Sequence, residues 1–352
     1  MAGKRHTPHH TAHTKAPRST AKAPGFRQTI LCASIAAAFG SAQANPIDPT
    51  VVSGQVSFQQ QGSTLTITNT PNAIINWQSF SIGANEATRF LQQSASSAVL
   101  NRVTGVDPSV ILGSLQSNGK VFLINPSGVL FGQGARIDVA GLVASTLKLS
   151  NEDFLNGNLN FTGGELAGTL KNQGAITTPQ GGSVILVAPD IENSGIIHAP
   201  DGNVILAAGR SVRLGDTAAP NVLVEISAPD TQAVNVGQIV VEGGRAGIYA
   251  GLIQQKGMVS ADSVSTNAAG KIVFRATKDI TLDANSRTTA NGAIGGQIQI
   301  EAATGINLIS GPIEAKGAQG PGGTIHLLGT KVGVIDNARI DASGATGGGS
   351  IL

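Results

Sequence analysis

Apolar and polar residues alternate with period two in short runs over the second half of the chain. GKIVFRA starts at Gly270, GQIQIEA at Gly296, GTIHLLG at Gly323 and GSIL at Gly349, with starts 26, 27 and 26 residues apart. In each run one parity is apolar: Ile272 and Phe274, Ile298 and Ile300, Ile325 and Leu327. Gln297, Gln299 and Glu301 hold the other parity. Such alternation predicts half-buried strands. Second strands follow in phase at 279–284 and 305–310, and third strands at 312–317 and 338–344. Further upstream, 174–188 (GAITTPQGGSVILVA) recurs as 195–209 (GIIHAPDGNVILAAG) at a spacing of 20–21 residues. A unit of that size, holding two or three short strands, cannot bury its own apolar face. Stacking units at the ~4.8 Å strand spacing does bury it. The expected fold is all-β, a right-handed parallel β-helix (solenoid) with an N-terminal β cap. No helical period of 10–15 residues is read in the array, which opposes alternating strand and helix units. In-register stacking would place Arg275 against Glu301 and Gln299 beside His326.

The stretch Asn69–Thr146 follows a different rule. It mixes Asn/Pro/Gly turn signals with short alternating runs, and a solenoid needs a cap at its front. The expected division is a leader over 1–44, a cap domain over 45–165 and a repeat shaft over 166–352. The chain ends at Gly349–Leu352 inside a new unit, so the native chain is expected to continue or to have been truncated.

Composition supports many short strands and little else. Gly contributes 46 of 352 residues, charged residues 12% and aromatics 3%. An aromatic core is excluded, whereas small and β-branched residues with frequent turn formers suit a β array. The formal charge of +2 hides an asymmetry. Residues 1–44 carry six basic side chains and no acid; the remaining 17 basic and 21 acidic side chains leave −4. A mildly acidic mature chain has no basic patch for phosphate backbones, so nucleic acid is not an expected partner. Thr29–Gly40 is too short to span a membrane and precedes the small-residue site Ala42-Gln43-Ala44. This reads as a secretory signal with a long n-region, cut after Ala44. Cys32, the sole cysteine, lies within it, which leaves the mature chain no disulfide. Leu31 before it is too large for a lipoprotein site. His6, His9, His10 and His13 admit a metal-tract reading, but they precede the apolar segment.

Residues 50–150 resemble the two-partner-secretion, or haemagglutination-activity, domain of filamentous haemagglutinin-like exoproteins. The resemblance rests on Ala73–Phe80 (AIINWQSF), Ser94–Ser97, Leu100–Val103, Ile111–Gly113, Phe122–Pro126 (FLINP) and Gly141–Thr146 (GLVAST). It implies inner-membrane export, then recognition by a dedicated outer-membrane β-barrel transporter with periplasmic recognition domains. Members act as adhesins, haemagglutinins or toxin-carrying stalks, which implies a host-cell or other cell-surface receptor. Residues 69–80 and 122–132 are the candidates for transporter recognition or for nucleating the fold. Within them the resemblance points to Pro71, Asn72, Asn76, Trp77, Asn125, Pro126, Ser127 and Gly128. Equally, these could be only cap turns and core strands. The family's usual turn is Asn-Pro-Asn-Gly, and here it is Asn125-Pro126-Ser127-Gly128. Serine tolerates left-handed backbone less well than asparagine, which puts a specific role for position 127 in question.

Parallel β-helices also host polysaccharide-degrading enzymes, so the fold leaves that alternative open. Such sites need clustered carboxylates on one face. Here His198 and His326 stand in distant units, Asp190, Asp201 and Asp216 fall near turns, and Asp279 and Asp283 flank one strand. No catalytic, cofactor or metal position is assigned. A passenger carried by its own barrel would need a tail of alternating ~10-residue segments, which is not seen. Asn160-Phe161-Thr162 matches a glycosylation sequon, a motif short enough to arise by chance.

Overall fold

The structure is a computed structural model that describes residues 45–163, 167–215, 231–264 and 269–352, with the backbone of 224–226. Ala42, Ala44, Cys32, the histidines before residue 14 and Asp216 lie outside the described residues.

The front elements are β1 (Ile47–Ser53), β2 (Val56–Gln61), β3 (Thr64–Asn69), β4 (Ala73–Ser79), β5 (Ala87–Leu91), β6 (Ala98–Val103), β7 (Ser109–Ile111), β8 (Ser114–Ile124), β9 (Val129–Phe131) and β10 (Arg136–Ser145). From β4 onward the strands of the main sheet pair in parallel, each with the strand one turn later, which builds a three-faced parallel β-helix. On the first face an inward row runs Ala73, Val99, Val121, Leu142, Val184, Val204, Ala246, Ile272, Ile298, Ile325, each opposite the next. Every member is fully buried. The period-two alternation therefore maps onto inside and outside as expected. Arg275 lies opposite Glu301, with an ion pair of 3.0 Å, and Gln299 lies opposite His326. Parallel pairs cross residue 165: β9 pairs with Leu170–Asn172, and β10 with Ala175–Thr177 and Ser183–Ala188.

The front is closed by antiparallel strands. β1 lies against β4 and β2 against β3, while β3 pairs in parallel with β5. Reversing the strand direction ends the stack, because the outer edges of β1 and β2 offer no parallel register to a further coil.

The inside also holds a polar ladder. On the second face Asn172 Nδ2 donates to Asn193 Oδ1 (2.8 Å), Asn193 Nδ2 to Asn235 Oδ1 (2.7 Å) and Asn235 Nδ2 to Gln255 Oε1 (2.7 Å). All four residues are buried. Each amide is both donor and acceptor, so in-register stacking satisfies the row internally.

One feature departs from the expected plain array. The outward row on the first face runs Ile74, Leu100, Phe122, Val143, Ile185, Ile205, Gly247, Val273, Gln299, His326. Its early members are apolar and need cover. That cover is a four-stranded antiparallel sheet of β11 (Lys148–Leu149), β12 (Leu159–Thr162), Ser211–Leu214 and Val224–Ile226, with the short helix α1 (Asn151–Leu155). Leu147, Leu149, Phe154, Phe161, Val212 and Leu214 close on the outward row as a second core. The helix is one the array period did not predict. Ser150 caps it: its hydroxyl accepts from the Asp153 N–H at 2.9 Å and donates to Asp153 Oδ2 at 2.6 Å. Five residues are too few for a helical period to show.

Candidate functional site

The residues singled out in the sequence fall at two corners of the first coils. Pro71 and Asn72 form the corner that leads into β4. The Ala73 N–H returns to the Thr70 carbonyl (3.3 Å), Pro71 fixes the second position and Asn72 takes φ of +59°. That is the pattern of a type II turn, in which the third position must be left-handed and Asn substitutes for Gly. The Asn72 N–H bonds to the Ala98 carbonyl below (2.8 Å), and both side chains are exposed.

At the other end of β4, Trp77 points inward and is 1% exposed. Its ring meets Phe58 at 5.7 Å and Phe80 at 5.6 Å, both edge-on. Its indole N–H donates to Asn101 Oδ1 at 3.0 Å, and Asn101 Nδ2 donates to the Phe122 carbonyl at 3.2 Å. Asn76, on the outer side, accepts from Arg102 Nη1 at 3.3 Å. Arg102 also donates through Nη2 to the Leu149 carbonyl and to Asn151 Oδ1, both at 2.8 Å. It thereby ties β4 and β6 to the covering sheet. Partial burial lowers its pKa from the ordinary guanidinium value, and an arginine so placed stays a cation at neutral pH. Sequence reading gave Arg102 no role; the only signal was its place in the Leu-Asn-Arg-Val piece.

Two coils below, Asn125–Gly128 turns the chain out of β8. The Gly128 N–H returns to the Asn125 carbonyl at 3.1 Å and the Ser127 N–H to Asn125 Oδ1 at 3.0 Å. Asn125 is fully buried, and its Nδ2 donates to the Asp107 carbonyl and Ser109 Oγ, both at 3.0 Å. The left-handed backbone falls on Gly128, at φ +130°, and Ser127 is outside that region. Position 127 therefore makes no left-handed demand on its serine. Pro126 is half-buried and Ser127 exposed.

Main-chain bonds link this turn to Trp77. The Trp77 carbonyl accepts from the Thr104 N–H at 2.8 Å, and the loop that follows carries the Asp107 carbonyl to Asn125. Asn76, Trp77 and Asn125–Gly128 thus share one corner of the solenoid. Pro71 and Asn72 sit at the opposite end of β4 and belong to a different corner. The Asn160 amide of the sequon is engaged by Asp153 Oδ1 at 2.8 Å. Among the described residues, no three His, Cys, Asp or Glu side chains converge on a point that could hold a metal.

The TPS secretion domain family matches residues 42–284. A heme/hemopexin-binding protein of Haemophilus influenzae is 33% identical over 255 residues, 69% of this chain and 26% of that protein. A second heme/hemopexin-binding protein from the same species is 37% identical over 135 residues, 38% of this chain and 14% of its own length. The chain thus spans about a quarter or less of the curated relatives it matches. Among solved structures, the HMW1 secretion domain from Haemophilus influenzae superposes with a TM-score of 0.73 at 30% identity, covering 88% of this chain and 100% of that one. With a family match over most of its length and a shared parallel solenoid, the chain belongs to the TPS secretion domain family: it is the export module of a two-partner secreted protein, delivered across the outer membrane by a partner transporter.

Proposed function

We propose that the two turn tips, Pro71-Asn72 and Pro126-Ser127, are where the transporter's periplasmic domains read this module. Asn76, Trp77, Asn125 and Gly128 have a different task, holding those tips in shape and nucleating the first coils. The observation that carries this division is burial. Asn125 and Trp77 have no surface to offer a partner, whereas Asn72 and Ser127 are exposed on backbone fixed from beneath. In this reading residues 1–44 are a leader removed after Ala44, 45–165 are the recognition and nucleation domain, and 166–352 begin the shaft. The relatives are named for binding and for secretion, and a non-catalytic adhesive role is the reading for the mature chain, with a cell-surface receptor as its target. A second reading, capture of heme or hemopexin, is suggested by the names of the two relatives.

The test is secretion in a Gram-negative host with and without the cognate transporter. Asn72→Gly keeps the left-handed turn and removes its side chain, and Ser127→Arg changes only an exposed tip. Both are expected to lower transporter-dependent release about tenfold, the effect of roughly 1.4 kcal/mol of lost binding, with unchanged urea midpoints. Asn125→Ala is expected to lower release and midpoint together. Wild-type release of both tip variants would place recognition elsewhere.

A further inference from the structure

Along the third face, the outward positions of the last coils are buried rather than exposed. Ser260, Thr289 and Glu314 have 9%, 1% and 8% of their surface accessible. Short loops fold over them and leave a groove of about 720 Å³. That lies within the roughly 300–1,000 Å³ usual for small-ligand sites. The groove crosses successive coils from Asp262 through Asn291 and Lys316 to Ser343, about 14 Å at the strand spacing. Its length suits an extended oligomer better than a compact molecule.

The polar groups are held from behind. Glu314 Oε2 receives Lys316 Nζ at 3.0 Å, Arg287 Nη2 at 3.2 Å and Asn291 Nδ2 at 3.4 Å. Burial would raise the pKa of Glu314, but Lys316, Arg287 and Asn291 outweigh it and hold the carboxyl ionised. Asp262 accepts from Thr289 Oγ1 at 2.9 Å and from the Asn291 N–H at 2.6 Å. Asn291 Oδ1 in turn fixes the Lys316 N–H at 2.8 Å. Two carboxylates, two cations and the amides of Asn291 and Gln319 thus line one open groove. The formal charges cancel, so an anion or a metal ion gains little there. A chain of hydroxyls, each donor and acceptor, can use both kinds of group. Gly292, Gly317 and Gly344 are among its lining residues.

We propose that this groove binds a neutral oligosaccharide. Most of it lies beyond residue 284, where the secretion-domain match ends, so it is independent of the transporter reading. With no aromatic platform among the described lining residues, recognition rests on hydrogen bonds to charged groups, and single-site affinity is modest.

The experiment uses the secreted chain on an array of neutral hexose and N-acetylhexosamine oligosaccharides, host-type and bacterial-type, beside sialylated and sulfated ones. Hits are titrated calorimetrically. Lys316→Met removes one donor, and Ala318→Leu fills the groove from an exposed position while leaving the hydrogen-bonding side chains in place. Each is expected to weaken binding of a neutral glycan at least about tenfold, as loss of a charged hydrogen bond does. Circular dichroism and release into the medium should stay unchanged. The type of neutral glycan bound tells host from bacterial source. No glycan binding at millimolar concentration, binding only of acidic glycans, or binding indifferent to both variants would each overturn the proposal.

Discussion

Phe122 and Gln299 occupy the same outward row of the same face, yet their surroundings differ. Phe122 is buried beneath the covering sheet, its ring 5.1 Å from Phe154 and nearly perpendicular to it. Gln299 is only half-buried, with no sheet over it, and its amide donates to Glu301 Oε2 at 3.1 Å. The backbone ladder is alike at both places, so the side chain alone decides whether the chain must leave the solenoid to build a cover. An apolar outward row at the front recruited β11, α1, β12 and Ser211–Leu214; a polar outward row at the far end needs no such cover.

The largest effect should come from breaking that contrast at its front. Phe122→Ala is expected to cost roughly 3–5 kcal/mol, while Gln299→Ala at the equivalent position stays within about 0.5 kcal/mol. Urea unfolding followed by circular dichroism measures both. Equal midpoints would mean that the covering sheet adds no stability to the coils beneath it.

An intermediate effect is expected in the interior. Asn193→Ala removes the middle of the amide ladder and leaves Asn172 Nδ2 and Asn235 Oδ1 without their bonds to it. Each orphaned buried group costs about 1–3 kcal/mol. Amide hydrogen exchange should show faster opening of the coils on both sides of residue 193, and opening on one side only would mean that the ladder does not couple neighbouring coils.

The smallest effect belongs to the exposed far end. Arg275→Ala breaks the ion pair with Glu301, whose side chains are 45% and 30% exposed. The loss should be below about 1 kcal/mol and should fade as salt screens the pair. A larger, salt-independent loss would show that Arg275 acts through packing of its stem.

Legibility followed the same contrast. In the far coils a strict period-two repeat stated both parity and register, so Arg275–Glu301 and Gln299–His326 could be paired before any coordinates. At the candidate site the turns were visible as Pro71-Asn72 and Asn125–Gly128, because Pro, Asn and Gly carry their conformational restrictions in their own covalent structure. Sequence could not say that Gly128 rather than Ser127 carries the positive φ, since a four-residue turn of this kind admits more than one backbone.

Local chemistry by itself determined the strands, the stack and the corners: alternation, repeat length and turn residues act over a few neighbours, and stacking only repeats them. Only the tertiary structure decided which outward apolar row needed a cover, that residues 147–162, 211–214 and the strand 224–226 supply it, and that Arg102 ties the cover to the coils. Those contacts join segments whose separation in sequence obeys no period. They are fixed by the free energy of burying apolar surface and satisfying polar groups in three dimensions.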